Sequence, residues 1–350
     1  MRIQELRVTV EQRKPNPRPI RDAIQELPGS GSVRVEAVTD AGLVGQGETW
    51  FGRIAGAPRT LATLIEGELA PLVVGRRVEM VRQIHADLLR ECDYHGAAGL
   101  ATMAIAAVDT ALWDALGQSL GVPCWQLWEG RRECIPAYAM VGWLNHDLDQ
   151  LQAICRKAVG QGFRAVKIKV GCPTLAEDLA RVRAVRRAVG PEIGLMVDAN
   201  QSLTTAEAIQ RGRAFQQEGV YWWEEPLPAQ DLDGYAALAA ALDLPVAAGE
   251  NLSSPQSFAQ FLRRDALDIV QPDLRRAGGP TALLEIGALA HAFHRPYASH
   301  GGEPAHLNVM ACLPTAIYVE TGLLTEGSPV RLVDGCVPVP TGPGLGWGPR

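Results

Sequence analysis

The chain has 350 residues, more than one hydrophobic core usually holds, so its length favours a large barrel joined to a smaller accessory domain. The net charge of −6 gives no electrostatic reason to expect binding to nucleic acid or to an anionic membrane surface. The seven cysteines form no Cys-x-x-Cys pair and the N-terminus lacks the apolar core of a signal peptide, so we expect reduced thiols in a cytoplasmic protein.

The first third of the chain has the pattern of an α+β domain. Polar and apolar residues alternate, as in half-buried antiparallel strands, over residues 3–12, 32–39 and 43–49. Helical patterns follow near residues 58–71, 78–91 and 97–119. Two segments, near 14–31 and 50–58, have the composition of irregular loops. We therefore predict an N-terminal α+β domain over residues 1–130.

Beyond this domain, short apolar runs alternate with helical stretches. The runs cover residues 135–141, 165–170, 194–198, 220–224, 245–250, 267–273, 296–300 and 317–320. Eight strands with such connections indicate a (β/α)8 TIM barrel over residues 131–325, in the α/β class. The connection 301–316 looks too broken for a full helix, so we expect a barrel that is modified there. Residues 326–350, rich in Gly and Pro, should pack back on the N-terminal domain.

Most of the predicted strands end in an ionisable side chain. Seven of the eight runs do so, at Lys169, Asp198, Glu224, Glu250, Asp273, His300 and Glu320. Barrel enzymes place their chemistry at the C-terminal ends of the strands, and charged residues are rarely buried unless they are paired. We therefore predict that these seven side chains form an active site.

Three of the acids are evenly spaced. Asp198, Glu224 and Glu250 follow one another at intervals of 26 residues, about the length of one strand and one returning helix. Because hard oxygen ligands suit a divalent cation, we predict that these three carboxylates bind one Mg²⁺. Glu225 is an alternative to Glu224, but neighbours on a strand face opposite sides and the even spacing favours Glu224.

The chain has only four lysines, and two of them, Lys167 and Lys169, share one face of a predicted strand. Two adjacent ammonium groups repel each other, which lowers the pKa of one of them. We predict that Lys169, nearer the strand end, is the general base and that Lys167 holds a substrate carboxylate. The alternative is a pair of surface lysines on an edge strand.

Asp273 and His300 end the sixth and seventh runs. An Asp on an adjacent strand can accept a hydrogen bond from one ring nitrogen of His, which fixes the tautomer and makes the other nitrogen more basic. We predict that this pair acts as a second base or an acid. Glu320 ends the eighth run, where a protonated carboxylic acid could donate a hydrogen bond to a developing enolate oxygen; a salt bridge would explain it equally well.

Together these residues predict removal of the α-proton from a carboxylic acid. Lys169 and His300 would flank the α-carbon, while Mg²⁺, Lys167 and Glu320 stabilise the resulting enolate. The α-proton of a carboxylate is very weakly acidic, so electrostatic stabilisation must supply much of the rate enhancement.

The chain resembles the enolase superfamily, specifically its mandelate racemase subgroup, over essentially its full length. The matching motifs are Val166-Lys167-Ile168-Lys169, Val197-Asp198-Ala199-Asn200-Gln201, Trp223-Glu224-Glu225-Pro226, Gly249-Glu250-Asn251, Gln271-Pro272-Asp273 with Gly278-Gly279, Ser299-His300, and Glu320. The resemblance implies a capping domain with two specificity loops, a bound Mg²⁺, a small carboxylate substrate, a homo-oligomer, and contact of Asn200 with the α-substituent of the substrate. The related muconate-cycloisomerase subgroup would carry Lys on the sixth strand, where this chain has Asp273, which disfavours cycloisomerisation.

The catalytic set serves a dehydratase and a racemase equally well. We favour dehydration of an acid sugar, an aldonate or aldarate, to a 2-keto-3-deoxy acid, because the resemblance implies this activity more often. The alternative is racemisation or epimerisation of an α-hydroxy acid. A non-catalytic barrel is a further alternative, but such a protein usually loses part of its catalytic set, and none is missing here.

The two loops offer candidate substrate contacts. Their basic residues could meet a polyhydroxylated or dianionic acid, and aromatic residues could meet an apolar ring; these are Arg13, Lys14, Arg18, Arg21 and Arg53, and Trp50, Phe51 and Trp143. From them we take Trp50 and Arg53 as predicted substrate contacts, beside Asn200 and Lys167.

Overall fold

The computed structural model describes residues 1–12, 16, 19–27, 29, 31–51, 56–94, 96, 98–302, 304–326, 328 and 330–347. The N-terminal part contains the strands β1 (Ile3–Gln12), β2 (Ile20–Arg21), β3 (Glu26–Leu27), β4 (Gly31–Thr39) and β5 (Val44–Phe51). Its helices are α1 (Ala57–Leu64), α2 (Ala70–Val73), α3 (Val81–Asp93), α4 (Leu100–Leu120) and α5 (Cys124–Leu127). A π-helical turn, Ile65–Leu69, joins α1 to α2, and a 3-10 turn, Val78–Met80, leads into α3.

Helix α4 packs directly on the antiparallel sheet formed by β1, β4 and β5. The contact requires two glycines in β5, since a Cβ atom at Gly47 would lie 1.9 Å from the carbonyl oxygen of Ala107, and Gly45 is equally tight against Ala111. By length and composition α4 could cross a membrane, but 83% of its apolar window is buried, which is typical of a core helix. Its opposite side reaches the barrel, where Nε1 of Trp113 donates to Oγ1 of Thr281 at 2.9 Å.

The rest of the chain forms a closed parallel barrel. Its strands are β6 (Cys134–Gly142), β7 (Ala165–Lys169), β8 (Gly194–Asp198), β9 (Trp222–Glu224), β10 (Val246–Ala248), β11 (Ile269–Val270), β12 (Tyr297–Ala298) and β13 (Ala316–Thr321). Each strand pairs in parallel with the next, and β13 closes the barrel on β6. The helices between them are α6 (Leu148–Gly160), α7 (Leu175–Val189), α8 (Thr205–Gln217), α9 (Leu232–Ala241), α10 (Pro255–Arg263), α11 (Leu274–Ala277), α12 (Pro280–Ala292) and α13 (Pro304–Cys312).

Strand register brings the ionisable strand ends to one level. Lys169 pairs with Asp198, and Asp198 pairs with Glu224, in the parallel ladders of β7, β8 and β9. A further parallel bridge joins Asp273 to His300 just beyond β11 and β12. The helices that follow the first three barrel strands each begin with a capping box, in which the N-cap side chain accepts from the backbone three residues on, so the start of each helix is well defined.

The expectation of a broken connection over 301–316 is wrong. Helix α13 occupies nine residues of it. Pro304 is the first residue of this helix, where its missing N–H costs nothing. The barrel departs from eight complete β/α units elsewhere: after β13, the described residues among 322–347 form no helix.

The C-terminal segment instead adds a strand and contacts the first domain. Strand β14 (Cys336–Pro338) pairs antiparallel with β6. Farther on, the carbonyl oxygen of Gly344 accepts from the amide of Cys124 at 2.7 Å, and the amide of Leu345 donates to Asp114 at 2.7 Å. These contacts tie the end of the barrel domain to α4 and α5.

The first predicted loop is more ordered than its composition indicated. Within the described part, β2 and β3 form an antiparallel hairpin. Its turn is built by buried Asp22, whose Oδ1 accepts from the amides of Ile24 and Gln25, each at 2.9 Å. The hairpin docks on the loop after β6, where the amide of Leu144 donates to the carbonyl oxygen of Arg21 at 2.9 Å.

Candidate active site

The three evenly spaced acids meet in the structure. One carboxylate oxygen from each of Asp198, Glu224 and Glu250 lies within 4.8 Å of the others, and all three side chains are buried. Glu225 is not one of the three clustered acids, and its Oε2 accepts a hydrogen bond of 2.6 Å from Nδ2 of Asn251. The geometry therefore places Glu224, rather than its neighbour, with the other two acids.

This cluster has the chemistry of a divalent-cation site. Its donors are hard carboxylate oxygens, which Mg²⁺ prefers. Burial, opposed by Lys167 and reinforced by Asp198, raises the pKa of Glu224 to about 7, so packing these acids together without a cation is costly. Within the described residues, Oε2 of Glu250 accepts no well-directed hydrogen bond, although Nε2 of His300 lies 3.2 Å from it. A cation shared by the three acids would relieve both features.

Lys167 lies at the centre of the barrel mouth with all its donors engaged. Its Nζ atom is 2.6 Å from Oε1 of Glu224, 2.5 Å from Oε2 of Glu320 and 3.1 Å from the hydroxyl of Tyr138. Burial alone would lower the pKa of Lys167, but the two carboxylates outweigh it and raise the pKa well above its usual value. Lys167 is therefore a fixed ammonium group.

Lys169 is an ion-pair partner of Asp198, and both side chains are buried. We expected Lys167 to lower the pKa of Lys169. Burial and Lys167 do act in that direction, but the carboxylate of Asp198 outweighs them, so the pKa is raised in this structure. Alternation along β7 places the two lysines together, but the carboxylate on the adjacent strand β8 decides the direction of the pKa shift.

Glu320 is ionised rather than protonated in this geometry. Burial would raise its pKa, but Lys167 and His300 outweigh that effect and hold the pKa of Glu320 at about 2. The hydroxyl of Tyr138 donates to Oε2 of Glu320 at 2.5 Å. Of the two alternatives for Glu320, the structure thus favours the salt bridge over the hydrogen-bond donor, because its nearest neighbours, Lys167 and Tyr138, are themselves donors.

Two polar residues of this network were not predicted as part of the site. Tyr138 on β6 is fully buried beside Lys167 and Glu320. Gln271 donates from Nε2 to the Tyr138 hydroxyl at 3.1 Å and to Oε2 of Glu224 at 2.8 Å. Strand alternation could have found Gln271, since it precedes Asp273 by two residues and so faces the same side.

Asp273 and His300 form the predicted pair. Nδ1 of His300 lies 2.9 Å from Oδ2 of Asp273. Burial lowers the pKa of His300, but Glu250 and the hydrogen bond to Asp273 outweigh it and raise the pKa to about 10. A further partner was not expected: Nη2 of Arg275 donates to Oδ2 of Asp273 at 2.7 Å.

Some of the predicted substrate contacts lie beside the site, and others fall outside the described residues. Asn200 follows Asp198 in a left-handed conformation (φ +42°), and within the described residues its buried Oδ1 has no hydrogen-bond partner. The ring of Trp50 lies 4.5 Å from the guanidinium carbon of Arg275. The ring of Trp143 lies 5.1 Å from Nζ of Lys169. Other loop residues lie outside the described part of the chain, namely Arg13, Lys14, Arg18 and Arg53.

The chain matches family models over both of its parts. Residues 5–128 match the mandelate racemase / muconate lactonizing enzyme N-terminal domain, and residues 150–350 match the enolase C-terminal domain-like family.

Three known proteins illustrate the range of relatives. The chain is 34% identical to 3,6-anhydro-alpha-L-galactonate cycloisomerase from Streptomyces coelicolor, over 90% of this chain and 87% of that protein. A crystal structure of a racemase from Streptomyces coelicolor with bound magnesium superposes with a TM-score of 0.93 at 32% identity, covering 98% of this chain and 96% of the other. L-talarate/galactarate dehydratase from Salmonella typhimurium, liganded with Mg and L-lyxarohydroxamate, gives a TM-score of 0.90 at 32% identity, covering 99% and 90%.

These matches span both parts of the chain, and they agree with a closed parallel barrel joined to an N-terminal α+β domain. The chain belongs to the mandelate racemase / muconate lactonizing enzyme family of the enolase superfamily.

Proposed function

We propose that this protein is a Mg²⁺-dependent enzyme that removes the α-proton of an acid sugar and eliminates the β-hydroxyl, giving a 2-keto-3-deoxy acid. The observation that carries the proposal is the position of two basic groups around one acid cluster. Lys169 pairs with Asp198, and Nε2 of His300 lies 3.2 Å from Glu250, so the two groups reach the cluster from different strands of the barrel mouth.

Asp198, Glu224 and Glu250 are the residues proposed to hold Mg²⁺. When bound there, the ion would supply positive charge against the negative charge that develops on the substrate carboxylate. The three acids together carry a charge of about −3, so the neighbouring lysines are needed to keep the site close to neutral once an anionic substrate has entered.

Lys167 is proposed to hold the substrate carboxylate. All three of its donors are already engaged, so the substrate must replace one of them, and Tyr138 is the neutral partner among the three. Glu224 and Glu320 then keep the ammonium group aimed at the same point. Asn200, whose buried Oδ1 lacks a partner among the described residues, is proposed to contact the α-substituent.

The proton transfers are assigned to Lys169 and His300. Lys169 becomes a base only once Asp198 has another positively charged partner, because their ion pair now favours the ammonium form. In dehydration, one of the two groups takes the α-proton, the β C–O bond breaks, and His300 gives a proton to the departing hydroxyl, which leaves as water. The enol that remains then becomes the keto acid.

Racemisation or epimerisation is a second candidate. It needs two bases that exchange the α-proton from opposite faces, and Lys169 and His300 are such a pair; the racemase among the similar structures favours this candidate. Cycloisomerisation also stays open, because one similar enzyme is a cycloisomerase, so the absence of Lys at Asp273 is a weaker argument against it than the sequence alone indicated.

Incubation with Mg²⁺ and an acid-sugar library in D₂O separates these reactions. Dehydration yields a 2-keto-3-deoxy acid in a keto-acid assay. Racemisation yields deuterium at the α-carbon with no loss of water. Cycloisomerisation yields a ring-opened or ring-closed isomer, also with no loss of water, whose mass differs from that of the substrate only by incorporated deuterium. A Lys169→Ala or His300→Asn variant with full activity would contradict the assignment of the two bases.

We further propose that the enzyme acts in the cytoplasm as a homo-oligomer on a small carboxylate, with no nucleic-acid or membrane partner. The seven cysteines are all unpaired thiols, which suits a reducing compartment. Light scattering of the purified protein tests the assembly, and a monomer at micromolar concentration would contradict it.

A further inference from the structure

Arg275 is a buried arginine whose described side-chain hydrogen bonds go to Asp273. It lies on the short helix α11, two residues beyond Asp273, and is 6% exposed. Its Nη2 donates to Oδ2 of Asp273 at 2.7 Å, and its Nε lies 3.3 Å from Oδ1. The guanidinium therefore contacts both oxygens of the Asp273 carboxylate, which also binds His300.

The carboxylate of Asp273 is held on all sides. Oδ1 also accepts from the backbone amides of Arg275 at 2.8 Å and Arg276 at 3.0 Å, while Oδ2 is shared by Arg275 and His300. The backbone amides fix one oxygen only. The guanidinium contacts both oxygens and its planar fork matches them, so it adds a restraint on Oδ2, the oxygen that His300 contacts.

The N-terminal domain covers this guanidinium. The ring of Trp50, near the end of β5, lies 4.5 Å from the guanidinium carbon of Arg275. An arginine stacked on an aromatic face is restricted in its rotamers while its N–H groups stay free to donate in the plane. Trp50, Arg275, Asp273 and His300 thus form a continuous chain of contacts from the first domain to the barrel mouth.

We propose that Arg275 is a positioning residue that fixes Asp273, and through it the imidazole of His300, and that Trp50 holds Arg275 in place. The inference rests on the proposed function, in which Lys169 and His300 act separately on the α-carbon. The N-terminal domain, through Trp50, would then help to position His300 and Asp273 in addition to covering the barrel.

The two halves of the site give the test. Two α-epimers of an accepted acid are followed by deuterium exchange in D₂O with saturating Mg²⁺, and Lys169→Ala and His300→Asn variants assign which epimer each base serves. For the epimer whose α-proton His300 exchanges, Arg275→Met should slow deuterium exchange by about 10- to 100-fold, the range typical when the group that orients a functional histidine is removed. For the epimer whose α-proton Lys169 exchanges, the rate should stay within about twofold of the wild-type rate.

Matched variants control for general damage. Arg275→Lys keeps the charge but not the fork, so it should recover only part of the loss, whereas Trp50→Phe keeps an aromatic face and should recover more than Trp50→Leu. Arg264→Met removes an exposed arginine paired with Asp233 and should leave both epimers unchanged. An equal fall for both epimers, or no fall for either in Arg275→Met, would overturn the proposal.

A second measurement is independent of activity. The proton between Nδ1 of His300 and Asp273 should give a downfield imidazole resonance, assigned by its loss in His300→Asn. In Arg275→Met it should shift or broaden, and in Arg264→Met it should not. If the wild-type enzyme exchanges neither epimer, the proposed function fails, and this resonance alone decides the inference: an unchanged resonance in Arg275→Met would contradict it.

Discussion

Nζ of Lys167 lies 2.6 Å from Oε1 of Glu224, and the two side chains are 1% and 0% exposed. A buried ion pair of this kind is held by its neighbours as much as by its own attraction, since each charge would be costly alone. Here the neighbours are Glu320, Tyr138 and Gln271. The pair therefore joins the proposed carboxylate-binding lysine to a proposed Mg²⁺ ligand.

Removal of Lys167 should destabilise the metal-free protein. Lys167→Met leaves Glu224 and Glu320 buried without their cation, which typically costs about 3–5 kcal/mol of unfolding free energy. Urea unfolding in EDTA measures this. The loss should shrink in saturating Mg²⁺, because another positive charge then faces Glu224. A loss that is the same with and without Mg²⁺ would show that Lys167 and the cation do not share this carboxylate.

Mg²⁺ should stabilise the folded protein by binding to Asp198, Glu224 and Glu250. At about 100 times its dissociation constant, a ligand that binds only the native state adds about 2.7 kcal/mol. Thermal unfolding with Mg²⁺ and with EDTA should show this gain in the wild type and lose it in Asp198→Asn, Glu224→Gln and Glu250→Gln. Glu225→Gln is the matched control, since Glu225 lies outside the cluster. A Glu225→Gln variant that loses the gain while Glu224→Gln keeps it would reverse the assignment.

Asp109 should make stability depend on pH. Burial raises the pKa of this carboxyl above its usual value of 3.8, against the hydrogen bonds that it accepts from Thr281. Because the folded pKa is raised, its contribution is fully present below the unfolded pKa and is lost as pH rises through the folded pKa. Relative to Asp109→Asn, the wild type should therefore gain unfolding free energy as pH is lowered from neutrality. A difference that is constant over this range would contradict the predicted shift.

The contact between α4 and β5 should not tolerate a methyl group. Gly47→Ala would place Cβ 1.9 Å from a helix carbonyl oxygen, so helix and sheet must separate, at a cost of several kcal/mol, roughly 3 or more. Gly67→Ala is the control, because nothing lies within 4 Å of its Cβ position. Melting temperatures should fall sharply for the first and stay level or rise slightly for the second. Equal melting temperatures would contradict the close packing.

The positions of the site residues were predictable from the sequence because most of them are the last residues of short apolar runs. Apolar runs ending in Asp198 or Glu224 mark both a strand and its functional residue, and parallel register then brings those ends together. Alternation likewise placed Lys167 and Lys169 on one face. These inferences need only local periodicity and the geometry of a parallel barrel.

What the sequence did not reveal depends on contacts between distant segments. The ionised state of Glu320 follows from its distance to Lys167, and no pattern along the chain encodes that distance. Arg275 looked like one arginine among many, and only the fold brings Trp50 against it. Helix α13 was not predicted within the connection 301–316; it begins at Pro304, and in sequence a proline that begins a helix looks like one that breaks it.

The proposed role of Lys169 and His300 is to remove the α-proton of an acid sugar beside a Mg²⁺ held by three acids. The most direct measurement is the α-proton signal of accepted acid sugars, followed by NMR in D₂O with Mg²⁺, for the wild type and for the double variant Lys169→Ala, His300→Asn. The wild type should consume this signal, by exchange or by elimination, and the double variant should leave it intact. A double variant that consumes the signal as fast as the wild type, or a wild type that leaves it intact in every acid sugar at saturating Mg²⁺, would rule out this role.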